Sequence, residues 1–175
     1  MARILTLSGS PRAASNNTAV LHTLAELAPD GVVLERYDYS DVPLYNPDIE
    51  RPESVDRLIA AITAADGVII ATPEYNYSVP GVLKNALDWA SRPAYKSCFF
   101  GKKTGVVSAA ASIVGGARAQ AHLKTILLGM GSPVFAYPEV LVPQSFNKVE
   151  DGRVTDATSL NALQGFVDSF AQWVD

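Results

Sequence analysis

The strongest constraint on this chain is an alternation. Short, continuously apolar runs recur along it, and each is followed by a stretch whose apolar residues repeat at helical spacing. Residues 4–7 read as a buried strand that ends in the turn residues 8–15. Over 17–28, Leu21, Leu24, Ala25 and Ala28 share one helical face, and Pro29-Asp30-Gly31 stops that helix. Residues 32–37 form a second strand, followed by a loop whose prolines, Pro43 and Pro47, forbid regular structure. A helix over 54–65 groups Val55, Leu58, Ile59 and Ile62. The run 67–72 is the most strand-like of all and breaks at Pro73. Pro80 suits the first position of the next helix, where its missing N–H is not needed, and that helix reaches residue 90. A fourth strand over 104–108, a helix over 116–128, a fifth strand region over 133–142 and a closing helix over 160–174 complete the pattern.

Strands that are apolar throughout, without in–out alternation, belong to a parallel sheet covered by helices on both faces. The expectation is an α/β fold in a single domain, 1–175, because no linker, repeat or low-complexity segment divides the chain. A net charge of -4 argues against a broad nucleic-acid footprint, although one loop of an acidic protein still binds a phosphate through backbone N–H groups. Cys98 is the lone cysteine, so no internal disulfide or Cys-x-x-Cys pair exists, and two histidines supply no conventional metal site. No apolar run is long enough for a membrane span or a signal peptide, and the expected location is the cytoplasm.

In open parallel sheets ligands bind at the carboxyl ends of the strands, so the loops after strands one, three and four are the places to look. The first, Gly9-Ser10-Pro11-Arg12-Ala13-Ala14-Ser15-Asn16-Asn17-Thr18, follows a strand and opens a helix. Its N–H groups and dipole favour an anion, Ser10, Ser15, Asn16, Asn17 and Thr18 add polar groups, and Arg12 adds a fork suited to phosphate. It is neither a Walker loop nor a Gly-x-Gly-x-x-Gly fingerprint. The plain alternative is a helix capped by Ser15 or Asn16. The second, Pro73-Glu74-Tyr75-Asn76-Tyr77-Ser78-Val79-Pro80, is a stiff, partly apolar shelf for a planar ring, or else a place where the tyrosines plug a core edge or meet a partner. The third, from Ser108 and Ala109 through Gly115-Gly116, has small side chains that allow close approach of backbone to a ligand, or simply tight packing at a helix start. Arg118 and Lys124 read as solvated helix charges or as partners across an interface. Trp89 suits core or interface, His22 and His122 are ordinary helical residues, and Cys98 has no neighbour that would activate it.

Three segments together make the chain resemble the NADPH-dependent FMN reductase family of flavodoxin-like quinone, azo and chromate reductases. They are Gly9-Ser10-Pro11-Arg12 with Ser15 and Asn17; Pro73-Glu74-Tyr75-Asn76 continuing through Pro80-Gly81-Val82-Leu83-Lys84-Asn85-Ala86-Leu87-Asp88-Trp89 to Ser91-Arg92-Pro93; and Gly115-Gly116-Ala117-Arg118-Ala119. The resemblance implies a doubly wound, five-stranded parallel sheet of order 2-1-3-4-5. It implies an FMN phosphate held at Ser10, Arg12, Ser15 and Asn17, with Asn16 and Thr18 beside them. It also implies a flavin ring lined by Pro73, Glu74, Tyr75 and Asn76, and closed by the turn from Ser108 and Ala109 onward. Pro11, lacking an N–H, cannot donate to the phosphate. The implied reaction is ping-pong: NADPH or NADH gives hydride to FMN, and a quinone, free flavin, azo compound or metal oxyanion then takes the electrons. No indispensable catalytic side chain and no metal are expected, and homodimers or homotetramers are implied. The rivals are a flavodoxin-type electron carrier that works with a partner protein, a Rossmann dehydrogenase using Glu35 or Asp38 for a ribose, and a module that has lost its cofactor.

Overall fold

The computed structural model describes residues 1–175. Five strands form one parallel sheet: β1 (Ala2–Ser8), β2 (Val32–Tyr37), β3 (Gly67–Thr72), β4 (Lys103–Ala110) and β5 (Val140–Pro143). Their order is β2-β1-β3-β4-β5, so the chain reverses direction across the sheet between β1 and β3. This is the flavodoxin-like order, and it puts the ends of β1 and β3 side by side at the switch point. Four helices connect the strands, α1 (Asn16–Glu26), α2 (Glu53–Ala64), α3 (Gly81–Ala90) and α4 (Ala117–Gly129), and α5 (Ala157–Val174) follows the last.

Period-two alternation along the strands divides the interior into two cores. Ile69 and Ala71 of β3 point into one, with Val20, Leu21 and Leu24 of α1 and Leu163, Phe166 and Phe170 of α5. Val68 and Ile70 point into the other, against Leu58 and Ile62 of α2, Leu83 and Leu87 of α3, and Leu123 and Leu127 of α4. Both faces of β3 are therefore dry, which explains why its sequence is apolar throughout. No helix is long and apolar enough to cross a membrane.

Several boundaries differ from expectation. The region 133–142 is not one strand: only Val140–Pro143 pairs fully, while Val134 makes an isolated bridge to Thr104. Pro133 and Pro138 lack the N–H groups that a continuous ladder would need. β4 runs on to Ala110, which puts Ser108 and Ala109 inside the strand. Pro80 is the N-cap of α3, with extended backbone, and Gly81 is the first helical residue. The closing helix starts at Ala157, because the Asp156 carboxylate accepts the Ser159 N–H and caps it. A small hairpin, β6 (Val149–Glu150) with β7 (Arg153–Val154), turns on Asp151 and Gly152, both at positive φ. An Asp-Gly pair is the usual signal for such a turn.

Candidate functional site

The loops after β1, β3 and β4 converge at the switch point. Gly9 makes that approach possible: its N–H donates to the Ala71 carbonyl at 2.7 Å, and a Cβ there would meet Pro73 Cδ at 3.0 Å. Beyond it, the backbone N–H groups of Ala13, Ala14, Ser15, Asn16 and Asn17 donate to no protein acceptor. Five consecutive free donors at the start of α1, with the positive end of its dipole, form an anion cradle. Arg12, just before these donors in the chain, is exposed with its guanidinium paired to no protein group, and it lines a cleft with Ser10 and Ala13. The Ser10 hydroxyl contacts the Tyr75 hydroxyl at 3.4 Å, a weak link between the first loop and the second.

The other polar side chains of the first loop face the protein. Asn17 is buried and spans both backbone groups of Ala109: its Nδ2 donates to the carbonyl at 2.9 Å and its Oδ1 accepts the N–H at 3.0 Å. Its side chain thus braces α1 against β4, and its own backbone N–H is one of the free donors of the cradle. Asn16 Nδ2 donates to Ser145 Oγ at 2.8 Å, Ser15 Oγ accepts the Thr18 N–H as the helix cap, and Thr18 Oγ1 donates to Ser8 Oγ at 2.9 Å. Capped helix and anion cradle, posed as alternatives by the sequence, coexist: the side chains cap while the N–H groups stay free.

The loop after β3 is a two-residue hairpin. Tyr75 and Ser78 exchange both backbone hydrogen bonds, at 3.0 and 3.1 Å, and the central residues Asn76 and Tyr77 have φ of 47° and 68°. Side chains rarely adopt this left-handed conformation without support. Support comes from α4. The carboxylate of Glu74, 6% exposed, accepts Arg118 Nε at 2.6 Å, Arg118 Nη2, and the Arg118 backbone N–H at 3.2 Å. The same guanidinium lies 4.0 Å from the centre of the Tyr77 ring. Arg118 is therefore not a solvated helix charge, and Glu74 is an ion-paired cap on α4. Tyr75 and Tyr77 are 43% and 67% exposed, so they form an open shelf and do not plug the core. Pro73, at the base of the hairpin, is buried.

Ser108 and Ala109 do not form a turn at the mouth. Both side chains are buried in β4, and the Ser108 hydroxyl donates to the Gly115 carbonyl at 2.6 Å while accepting Gln120 Nε2 at 2.9 Å. The exposed part of this turn is residues 111–113, and it ends in the buried Gly115 and Gly116, both at positive φ; a Cβ on Gly116 would sit 2.8 Å from Ser108. Gln120 also donates to the Val140 carbonyl at 2.8 Å, and its Oε1 is buried without a partner. No pattern in the sequence distinguishes it from the other polar residues of α4. Tyr39 was equally hidden: its buried hydroxyl donates to the Ser8 carbonyl at 2.5 Å, and burial pushes the phenol well above its ordinary range. The helix α3 holds the long loop before α2, since Asn85 Nδ2 and Trp89 Nε1 both donate to the Pro43 carbonyl at 2.9 Å. Trp89 is core. Cys98 is half-buried, and burial pushes its thiol up to about 11.

This geometry sets an anion cradle beside an exposed tyrosine hairpin whose base is latched to the start of α4. The family model described as NADPH-dependent FMN reductase matches residues 2–147. An NAD(P)H-dependent FMN reductase of Pseudomonas aeruginosa is 40% identical over 98% of this chain and 95% of its own length. A quinone reductase of Pseudomonas putida is 42% identical over 95% of this chain and 91% of its own. Among solved structures, a flavoenzyme NAD(P)H:(acceptor) oxidoreductase from Paracoccus denitrificans superposes with a TM-score of 0.88 and 37% identity, covering 99% of this chain and 97% of that one.

Proposed function

The chain belongs to the NADPH-dependent FMN reductase family, and from that premise we propose that its switch-point site holds FMN and serves two substrates in turn. The protein is an oxidoreductase with NAD(P)H-dependent FMN reductase or quinone reductase activity, an enzyme and not an electron carrier. The observation that carries the site assignment is the row of five unpartnered N–H groups from Ala13 to Asn17 beside the unpaired Arg12. These groups, with the Ser10 hydroxyl, hold the cofactor phosphate. Pro73 to Asn76 line one side of the ring slot, and residues 111–116 line the other. Ser108 and Ala109 act from behind that second wall.

Bound there, FMN supplies the redox chemistry, taking electrons from a reduced nicotinamide and passing them to an acceptor. The side chains position and exclude. The Glu74–Arg118 pair fixes the hairpin relative to α4, and because both charges are mutually satisfied, neither acts as a general acid at the mouth. On this reading donor and acceptor take the same place beside the exposed tyrosine hairpin in turn, a ping-pong scheme. A quinone suits the exposed rings of Tyr75 and Tyr77 better than an oxyanion, since Arg118, the cation at the hairpin, is held by Glu74. A homodimer or homotetramer accords with large apolar side chains left open, such as Tyr95, Ile113 and Leu128.

The test is the visible spectrum of the purified protein, followed by NADPH oxidation with a quinone and no other protein present. Flavin absorption that bleaches with dithionite, together with steady turnover, is expected. A colourless protein that cannot be loaded with FMN would defeat the assignment.

A further inference from the structure

The ring slot accounts for the reacting end of a nicotinamide dinucleotide and leaves its adenosine end without a place. On the β2 side of the first loop lies a cleft of about 210 Å³, walled by the end of β2, by residues 10–13 and by Val82 at the start of α3. Whole-ligand pockets usually have roughly 300–1,000 Å³, so a cleft of this size takes a fragment and leaves the rest of a dinucleotide outside. Its charged lining consists of Arg12, Arg36 and Asp38.

The arginines of the chain separate into two groups. Six of the eight donate to an acceptor on another residue's side chain: a carboxylate in five cases and the Tyr45 hydroxyl for Arg92. The two that do not, Arg12 and Arg36, line this one cleft. No nearby acid hydrogen-bonds Arg36, although the charge of Asp38 acts on it. Glu35 is taken by Arg3 at 2.8 Å, Asp41 is taken by Arg57 at 2.6 Å, and Asp38 accepts the Ser40 N–H at 3.0 Å. With Arg12 given to the cofactor phosphate, Arg36 is the cation left in the cleft, opposite Asp38. Arg36 also stands near the end of the second strand of a β–α–β unit. In parallel nucleotide-binding sheets an acidic residue there meets a ribose 2′-hydroxyl, and an arginine nearby accommodates a 2′-phosphate. A guanidinium fork matches that phosphate in shape and charge.

We propose that this cleft receives the phosphorylated adenosine ribose of NADPH, and that Arg36 makes the enzyme prefer NADPH to NADH. The proposal rests on the reading of the first loop as the FMN phosphate cradle: Arg12 serves the cofactor, and Arg36 is left for the donor. Asp38, on the same cleft, limits the preference by repelling the added phosphate.

The test compares the parent, Arg36→Ala and Arg36→Lys as FMN-loaded proteins with a quinone as acceptor, measuring kcat/KM for each donor and the FMN content. Titration calorimetry with adenosine 2′,5′-bisphosphate and with ADP reads the cleft without turnover. For Arg36→Ala, kcat/KM for NADPH falls about 10- to 100-fold, the range for losing hydrogen bonds to a charged group. The value for NADH stays within about twofold, as for loss of a solvated surface charge. FMN is retained, bisphosphate binding weakens while ADP binding does not, and Arg36→Lys falls in between. An equal effect on both donors, or no effect, overturns the proposal. Loss of FMN from Arg36→Ala overturns it as well, because the cleft would then belong to the cofactor phosphate. Failure of the underlying reading is separate and shows in the parent, as a protein that takes up no flavin; the bisphosphate titration still reads Arg36 in that case.

Discussion

Arg12 and Asn17 share a loop and an expected ligand, yet the structure gives them different work. The Arg12 guanidinium touches no protein acceptor, so its removal should leave the fold intact. Arg12→Ala is expected to weaken FMN binding about 10- to 100-fold, the loss of a charge-assisted hydrogen bond, with the same urea midpoint as the parent. An Arg12→Ala protein that held FMN as tightly as the parent would remove the guanidinium from the phosphate site. Asn17→Ala should lower the urea midpoint as well, by about 1–3 kcal/mol in stability, since it strands both backbone groups of Ala109. Cys98 has the opposite character, a nucleophile by type that is silenced by its surroundings. With its thiol pushed up to about 11 by burial, only about one part in a thousand is thiolate at pH 8. Iodoacetamide at that pH should label the native protein far more slowly than the urea-unfolded chain, and equal rates would contradict the burial.

The hairpin after β3 and the first turn of α4 behave as one element, although a whole strand and helix separate them in the chain. Glu74 caps α4 where the N-cap residue, Gly116, has no side chain to do so, and Arg118 returns to stack on Tyr77. Arg118→Ala leaves the Glu74 carboxylate buried without its cation. The expected cost is about 1–3 kcal/mol in urea unfolding, below the figure for a wholly buried pair because the guanidinium is 41% exposed. The same variant should raise the KM for a quinone, since the shelf loses its support, and Arg118→Lys should recover part of both losses. An Arg118→Ala protein with parental KM would show that the hairpin holds its shape unaided. The sequence marked this hairpin by its two prolines and two tyrosines, but the latch was illegible: Arg118 sits on a helix face among ordinary polar residues.

At the scale of the molecule, α5 lies directly against the sheet. Gly105 of β4 sits under it so closely that a Cβ would be 2.8 Å from Phe166 Cζ, and one at Gly67 of β3 would be 2.9 Å from Val174 Cγ2. Gly105→Ala should therefore cost about 1–3 kcal/mol of overpacking, read as a lower urea midpoint, despite alanine's better backbone entropy. An unchanged midpoint would mean that α5 can shift outward freely. The alternation of apolar runs with helical patterns, the prolines and the small residues at strand ends were enough to specify a parallel sheet and the loops that carry its site, because those signals are local in the chain. What only the tertiary structure decided is which polar side chains of the first loop stay open and which face the protein. Asn16 is held by Ser145 and Asn17 by Ala109, partners 129 and 92 positions away. No local pattern encodes a hydrogen bond over that distance; it exists once the sheet has brought α1, β4 and the segment after β5 together. The cradle that remains is made of backbone N–H groups, which every sequence possesses and only a fold can leave unpaired.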